Sequence, residues 1–119
     1  MDTVGGYLGA LRAQDWDALR ALLAPDVVRH GPYGDHFTDR DTYVAFLIET
    51  FAELGDYEME VHRVFGAADR VCVELAETAT IGDQRLRTEE AVVFAVHDGL
   101  IREVRVFLQR SVPIPASGR

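Results

Sequence analysis

The hydrophobic pattern changes period halfway along the chain. Up to Leu54 apolar residues recur at helical spacing, and from Tyr57 onward they alternate with polar ones. Val4, Tyr7, Leu8 and Leu11 mark a first amphipathic helix. Asp15 is placed to cap a second, short helix carrying Trp16, Leu19, Leu22 and Leu23 on one face, with Pro25 as its end. The stretch between Asp26 and Thr38 is broken by Gly and Pro and predicts a short strand followed by a loop. Thr38 with Asp41 has the spacing of a capping box. Beyond it Tyr43, Phe46, Leu47, Phe51 and Leu54 form the stripe of a third helix, closed by Gly55.

In the second half Tyr57, Met59 and Val61 open one strand, and Val71, Val73 and Leu75 open another. Gly82-Asp83 and Asp98-Gly99 supply two tight turns around a third strand, Arg85 to His97, and a fourth runs from Leu100 to Arg110. Three helices followed by an antiparallel meander is an α+β layout. The helices must cover one sheet face, because Val92, Phe94, Val104, Val106 and Leu108 need shelter from water. One domain is expected over residues 1–111, with a loose tail over 112–119.

Composition narrows the function classes. At 119 residues and 48% hydrophobic content the chain holds a core without disulfides or metal. The net charge is −8 and basic blocks are absent, which argues against nucleic acid or an anionic membrane as partner. The single cysteine, Cys72, excludes an internal disulfide or a cysteine zinc site. The first ten residues lack the segments of a signal peptide and no apolar run reaches membrane-spanning length, so a cytoplasmic protein is expected. His30, Asp35 and His36 are metal-ligand types without metal-ligand spacing, and no glycine pattern fits a nucleotide. Ser111 and Ser117 sit in no nucleophile elbow. Chemistry without metal or cofactor is the expectation.

The order of elements, the stretch QDWDALRALLAPDVVRHGPYG (Gln14 to Gly34) and the final hairpin FAVHDGLIREVRVFLQ resemble the SnoaL-like polyketide cyclases and ketosteroid isomerases. These share the nuclear-transport-factor-2-like fold. The resemblance implies a cone-like, curved, mainly antiparallel sheet packed on three N-terminal helices, with a pocket inside the cone. It implies pocket-lining roles for Trp16, Tyr33, Phe46, Val92, Phe94, Val104, Val106 and Leu108. Tyr7 falls where the isomerases keep the tyrosine that donates to the developing oxyanion. Their general-base aspartate would stand at Gly31, before Pro32-Tyr33-Gly34, and their second acid near Val92. The last-strand carboxylate of the cyclases and of limonene epoxide hydrolases has only Val104, Val106 and Leu108 to match it. The scaffold is therefore similar while the familiar catalytic acids are replaced.

Three groups remain for chemistry. His30 titrates near neutrality and suits proton transfer, although a turn-capping loop histidine is the plain alternative. Tyr7 is either a core tyrosine or an oxyanion donor. Glu90 interrupts an apolar strand face, Leu86-x-Thr88-x-Glu90-x-Val92-x-Phe94, so its carboxylate faces the helices, either desolvated or paired with an arginine. Glu74 and Glu77 point to opposite sides of their strand. The expected function is cofactor-independent acid/base chemistry next to the carbonyl of a small apolar molecule: isomerisation, cyclisation or dehydration. His30 would be the base or acid, Tyr7 the donor and Glu90 a second titrating group. The competing expectation is a non-catalytic binding or scaffold domain that has lost the family acids. On the outer sheet face, Arg85, Arg87 and Glu89 are expected opposite Arg102, Glu103 and Arg105. Interleaved Ala91, Val93, Ile101 and Phe107 complete that face, which commonly forms a two-fold dimer in proteins that resemble this one, so the resemblance implies a homodimer.

Overall fold

The computed structural model describes residues 2–115. In chain order the elements are α1 (Asp2–Ala13), α2 (Trp16–Ala21), β1 (Leu23–His30), β2 (His36–Phe37) and α3 (Arg40–Ala52). They are followed by β3 (Gly55–Ala67), β4 (Arg70–Ile81), β5 (Gln84–His97), β6 (Leu100–Leu108) and β7 (Val112–Pro113). The strands form one curved, unclosed sheet in the order β2-β1-β6-β5-β4-β3, with β7 on β5. All pairings are antiparallel except β1 with β6, which is parallel. This is the cone expected from the sequence, with the helices inside its curve.

Local chemistry explains most boundaries. Asp15 caps α2 by accepting from the Ala18 amide at 3.2 Å. The cap of α3 is Asp39, not Thr38: its carboxylate accepts from the Thr42 amide at 2.9 Å while its own backbone is extended. Gly55 does not close α3. The helix ends on Glu53 as C-cap, and Gly55 opens β3. Leu23 and Pro25, read as the end of α2, belong to β1 instead. The β1–β6 register shifts between Leu23 and Val28, so Pro25 lies where no ladder bond is required of it. Asp98 and Gly99 both adopt positive φ in the β5–β6 turn, as Asp-Gly allows.

The expected tail is partly structured. Val112 pairs with Arg87 and Pro113 with Leu86, and the Ile114 amide donates to the Arg85 carbonyl at 2.9 Å. Residues 116–119 lie outside the described residues.

The inner faces of the strands meet α1 and α3. Tyr43, Phe94, Leu75, Ile101 and Val104 are among the fully buried side chains of this single core. Ile101, expected on the outer face, is inside because a bulge between Ala95 and Val96 shifts the β5–β6 register. The outer charges also pair differently. Arg85 and Arg87 reach over the small residues Ala76, Thr78 and Thr80 of β4 to Glu58 and Glu60 of β3, at 3.5 and 3.3 Å. Glu103 instead pairs with Arg70 at 3.3 Å and Arg105 at 3.0 Å. Among the described residues no helix is long and apolar enough to cross a membrane.

Candidate active site

Between α1, α3 and the inner sheet face lies a cavity of about 300 Å³ with mainly apolar walls. Phe46 from α3, Val92 and Phe94 from β5, and Val104, Val106 and Leu108 from β6 line it, as alternation requires. Tyr33, 82% exposed on the β1–β2 loop, stands at the same cavity. Trp16 does not reach it. Its ring packs edge-on against Phe51 at 5.4 Å, as a partly buried flank of the core.

Two carboxylates enter this space side by side. Leu75 pairs with Glu90 and Glu77 with Thr88 across β4 and β5, which makes Glu77 and Glu90 diagonal neighbours on the inner face. Of the two β4 candidates it is Glu77 that lines the cavity, continuing the inward set Val71, Val73 and Leu75, while Glu74 faces out and binds Arg63 at 2.9 Å. Burial pushes the Glu90 carboxyl up to about 10, and the adjacent negative charge and side-chain hydrogen bond of Glu77 add to the rise. Arg29 opposes it. Glu90 therefore keeps its proton at neutral pH. The Tyr57 hydroxyl donates to Glu77 from the other side. Burial, with the Glu77 charge next, holds the Tyr57 hydroxyl far above its ordinary range, so it remains a donor.

Tyr7 is on the cavity wall, and its hydroxyl is hydrogen-bonded to that of Tyr43. Burial chiefly raises both phenols, so both stay protonated. With Tyr43 as donor, the Tyr7 proton is free to turn toward a ligand oxygen.

His30 is not in the cavity. Val27 and Arg29 point inward from β1, so His30 points out, where its ring stacks on His36 at 4.9 Å and its Nε2 lies 3.3 Å from Glu103. The inward residue is Arg29, which the sequence reading passed over because a short strand without an identified partner has no assigned inner face. Arg29 lies 5.4 Å from the Tyr43 ring and 5.0 Å from the Phe46 ring, and its Nε is 3.4 Å from Asp35 Oδ2. Tyr7 and Glu90 thus share one hollow, together with Glu77 and Arg29, and His30 stands apart. Among the described residues no three His, Cys, Asp or Glu side chains are grouped to hold a metal ion.

Known proteins bear on this architecture. A LEH-like epoxide hydrolase from M. tuberculosis is 25% identical, with a TM-score of 0.81 over 91% of this chain and 80% of that one. A candidate ketosteroid isomerase from Kribbella flavida is 28% identical, with a TM-score of 0.76 over 98% and 82%. IdmH of Streptomyces antibioticus, a candidate polyketide cyclase, shares the fold at 23% identity, with a TM-score of 0.80 over 91% and 90%. No curated protein matches the sequence. The SnoaL-like domain family matches residues 4–104, most of α1 through the middle of β6. With that match spanning the cavity and nearly every element that builds it, the chain belongs to the SnoaL-like domain family.

Proposed function

We propose that this protein is a cofactor-independent enzyme that moves a proton next to the carbonyl of a small apolar molecule. The observation that carries the reading is the Glu77–Glu90 pair, two carboxyl groups placed side by side inside an apolar cavity. An isolated buried carboxylate is costly and is normally neutralised by an arginine or removed from the core. Here two are placed together and one is kept protonated.

Such a pair can act in both directions. Its unprotonated oxygen takes a proton from the carbon next to a carbonyl, the C–H electron pair moves into the carbonyl system, and the enolate oxygen accepts a hydrogen bond from Tyr7. The pair, now doubly protonated, returns a proton at another carbon, which completes an isomerisation. Loss of a β-hydroxyl or attack on a second carbonyl would make the same step a dehydration or a cyclisation. Epoxide hydrolase, isomerase and cyclase descriptions among similar structures support this range of acid- and base-assisted reactions. The role first expected of His30 passes to the glutamates.

The test is deuterium uptake in D₂O by a panel of small cyclic enolisable ketones, followed by NMR. The wild-type chain is expected to accelerate exchange, and Glu90→Gln to lose about 10²–10⁴-fold of that rate. Ligands that bind without any accelerated exchange would instead support a binding domain.

The outer sheet face supports a homodimer. Phe65, Cys72, Val93 and Arg105 form one row across β3 to β6, flanked by Ala91 and by Phe107, itself 55% exposed. A reduced, cytoplasmic setting suits the lone Cys72 thiol on that face.

A further inference from the structure

Arg29 is an inward cation that the proton-transfer step, as described, leaves without a task. Its side chain is only 12% exposed and it lines the cavity. Aromatic rings of Tyr43 and Phe46 hold the guanidinium, and Asp35 approaches the Nε edge. Among the described residues Arg29 Nε has no hydrogen-bond partner of good geometry, nor does Asp35 Oδ2. A guanidinium carries five N–H donors in a planar fork, which suits a planar oxygen acceptor that bears charge.

Charge balance gives this arrangement a direction. With a neutral ligand bound, the negative charge of the cavity sits on the Glu77–Glu90 pair. When the pair takes a proton from the ligand it becomes neutral, and the charge moves to the ligand oxygen. The total is unchanged, so the charge that Arg29 faces, Asp35 included, is the same in either state. A ligand whose anion is planar and delocalised can take that charge without a large penalty. An anion brought in from solvent would add a charge instead, with Asp35 and the glutamates opposing it.

We infer that Arg29 is the receptor for a planar oxyanion formed within the cavity, and that the ligand is an acidic, conjugated carbonyl compound or phenol. The inference deepens the proton-transfer reading and shares its site. The groups facing Arg29 are Tyr7 on α1, Tyr43 on α3, Asp35 at the β1–β2 loop and Glu90 on β5, with Glu77 on β4 beside Glu90.

The probe is 4-nitrophenol, whose ionised form is coloured, titrated with the full-length chain by absorbance and calorimetry across a pH series. Bound to the wild type it is expected to ionise about 1–3 pH units lower than in water, the effect of a nearby opposite charge. Arg29→Lys should keep a downward displacement. The double variant Arg29→Gln/Asp35→Asn, which removes a cation and an anion together, should abolish it while the far-ultraviolet circular dichroism is retained. An ionisation midpoint at or above the free value in the wild type would overturn the inference, as would failure to bind or a displacement that survives the double variant. A downward displacement without any deuterium exchange into ketones would leave the oxyanion receptor standing and remove the proton-transfer reading.

Discussion

Arg29 and His30 are consecutive residues on opposite faces of β1: one opens into the cavity, and the other lies outside it, 3.3 Å from Glu103. Strand alternation alone produces this separation. It assigns ligand chemistry to the arginine and leaves the histidine in a surface cluster with His36 and Glu103.

His30→Ala should therefore leave ligand affinity and turnover unchanged. Parallel titrations of the variant and the wild type check this. A loss of turnover as large as that expected for Glu90→Gln would mean that His30 reaches the reacting atoms.

Glu90 should make the protein less stable as pH rises. In the unfolded chain its carboxyl loses a proton near its ordinary value of about 4.5, whereas in the folded protein it keeps the proton up to about 10. Between these values the folded state binds more protons than the unfolded one, so raising the pH favours unfolding, by at most about 1.4 kcal/mol per pH unit. Glu90→Gln removes this dependence and should raise the melting temperature relative to wild type at about pH 8 more than at about pH 5. Equal displacements at both pH values would show that Glu90 is ionised in the folded protein.

A side chain at Gly31 would meet the Asp35 carboxylate. A Cβ there would fall 1.8 Å from Asp35 Oδ2, while the Gly31 amide donates to the Asp35 carbonyl at 2.8 Å. Gly31→Ala should displace the Asp35 carboxylate from Arg29 and lower stability modestly, through the loss of that ion pair. Denaturant unfolding measures the loss, and Gly31→Ala should add nothing to it in an Asp35→Ala background.

The outer face gives a test of self-association. Phe107→Glu places a charge beside the Phe65–Arg105 row and should convert the proposed homodimer to a monomer in sedimentation or light scattering. A wild-type chain that is monomeric at micromolar concentration would remove the dimer from the account.

Much of the fold was legible because the period of the pattern is a local property. The stripe of α3, the alternation of β4 to β6 and the two turn dipeptides each lie within a short window. Glu90 was placed inward by the same rule, through its neighbours Val92 and Phe94. Glu77 was equally accessible, since it continues the parity of Val73 and Leu75. Arg29 was not, because β1 is held by parallel pairing with β6, about seventy-five residues away. Without that pairing the segment reads as a short strand running into loop, with no partner to say which of its faces is the inner one. Trp16 and Ile101 were misplaced for related reasons: the end of a two-turn helix and a bulge depend on tertiary packing rather than on periodicity.

The central claim is that a protonated carboxyl persists inside the cavity at neutral pH. Titration of ¹³C-labelled glutamate side chains by NMR tests it directly. The account predicts one glutamate carboxyl that keeps its protonated chemical shift past about pH 8 and disappears from the spectrum of Glu90→Gln. All glutamates titrating below about pH 6 would contradict it.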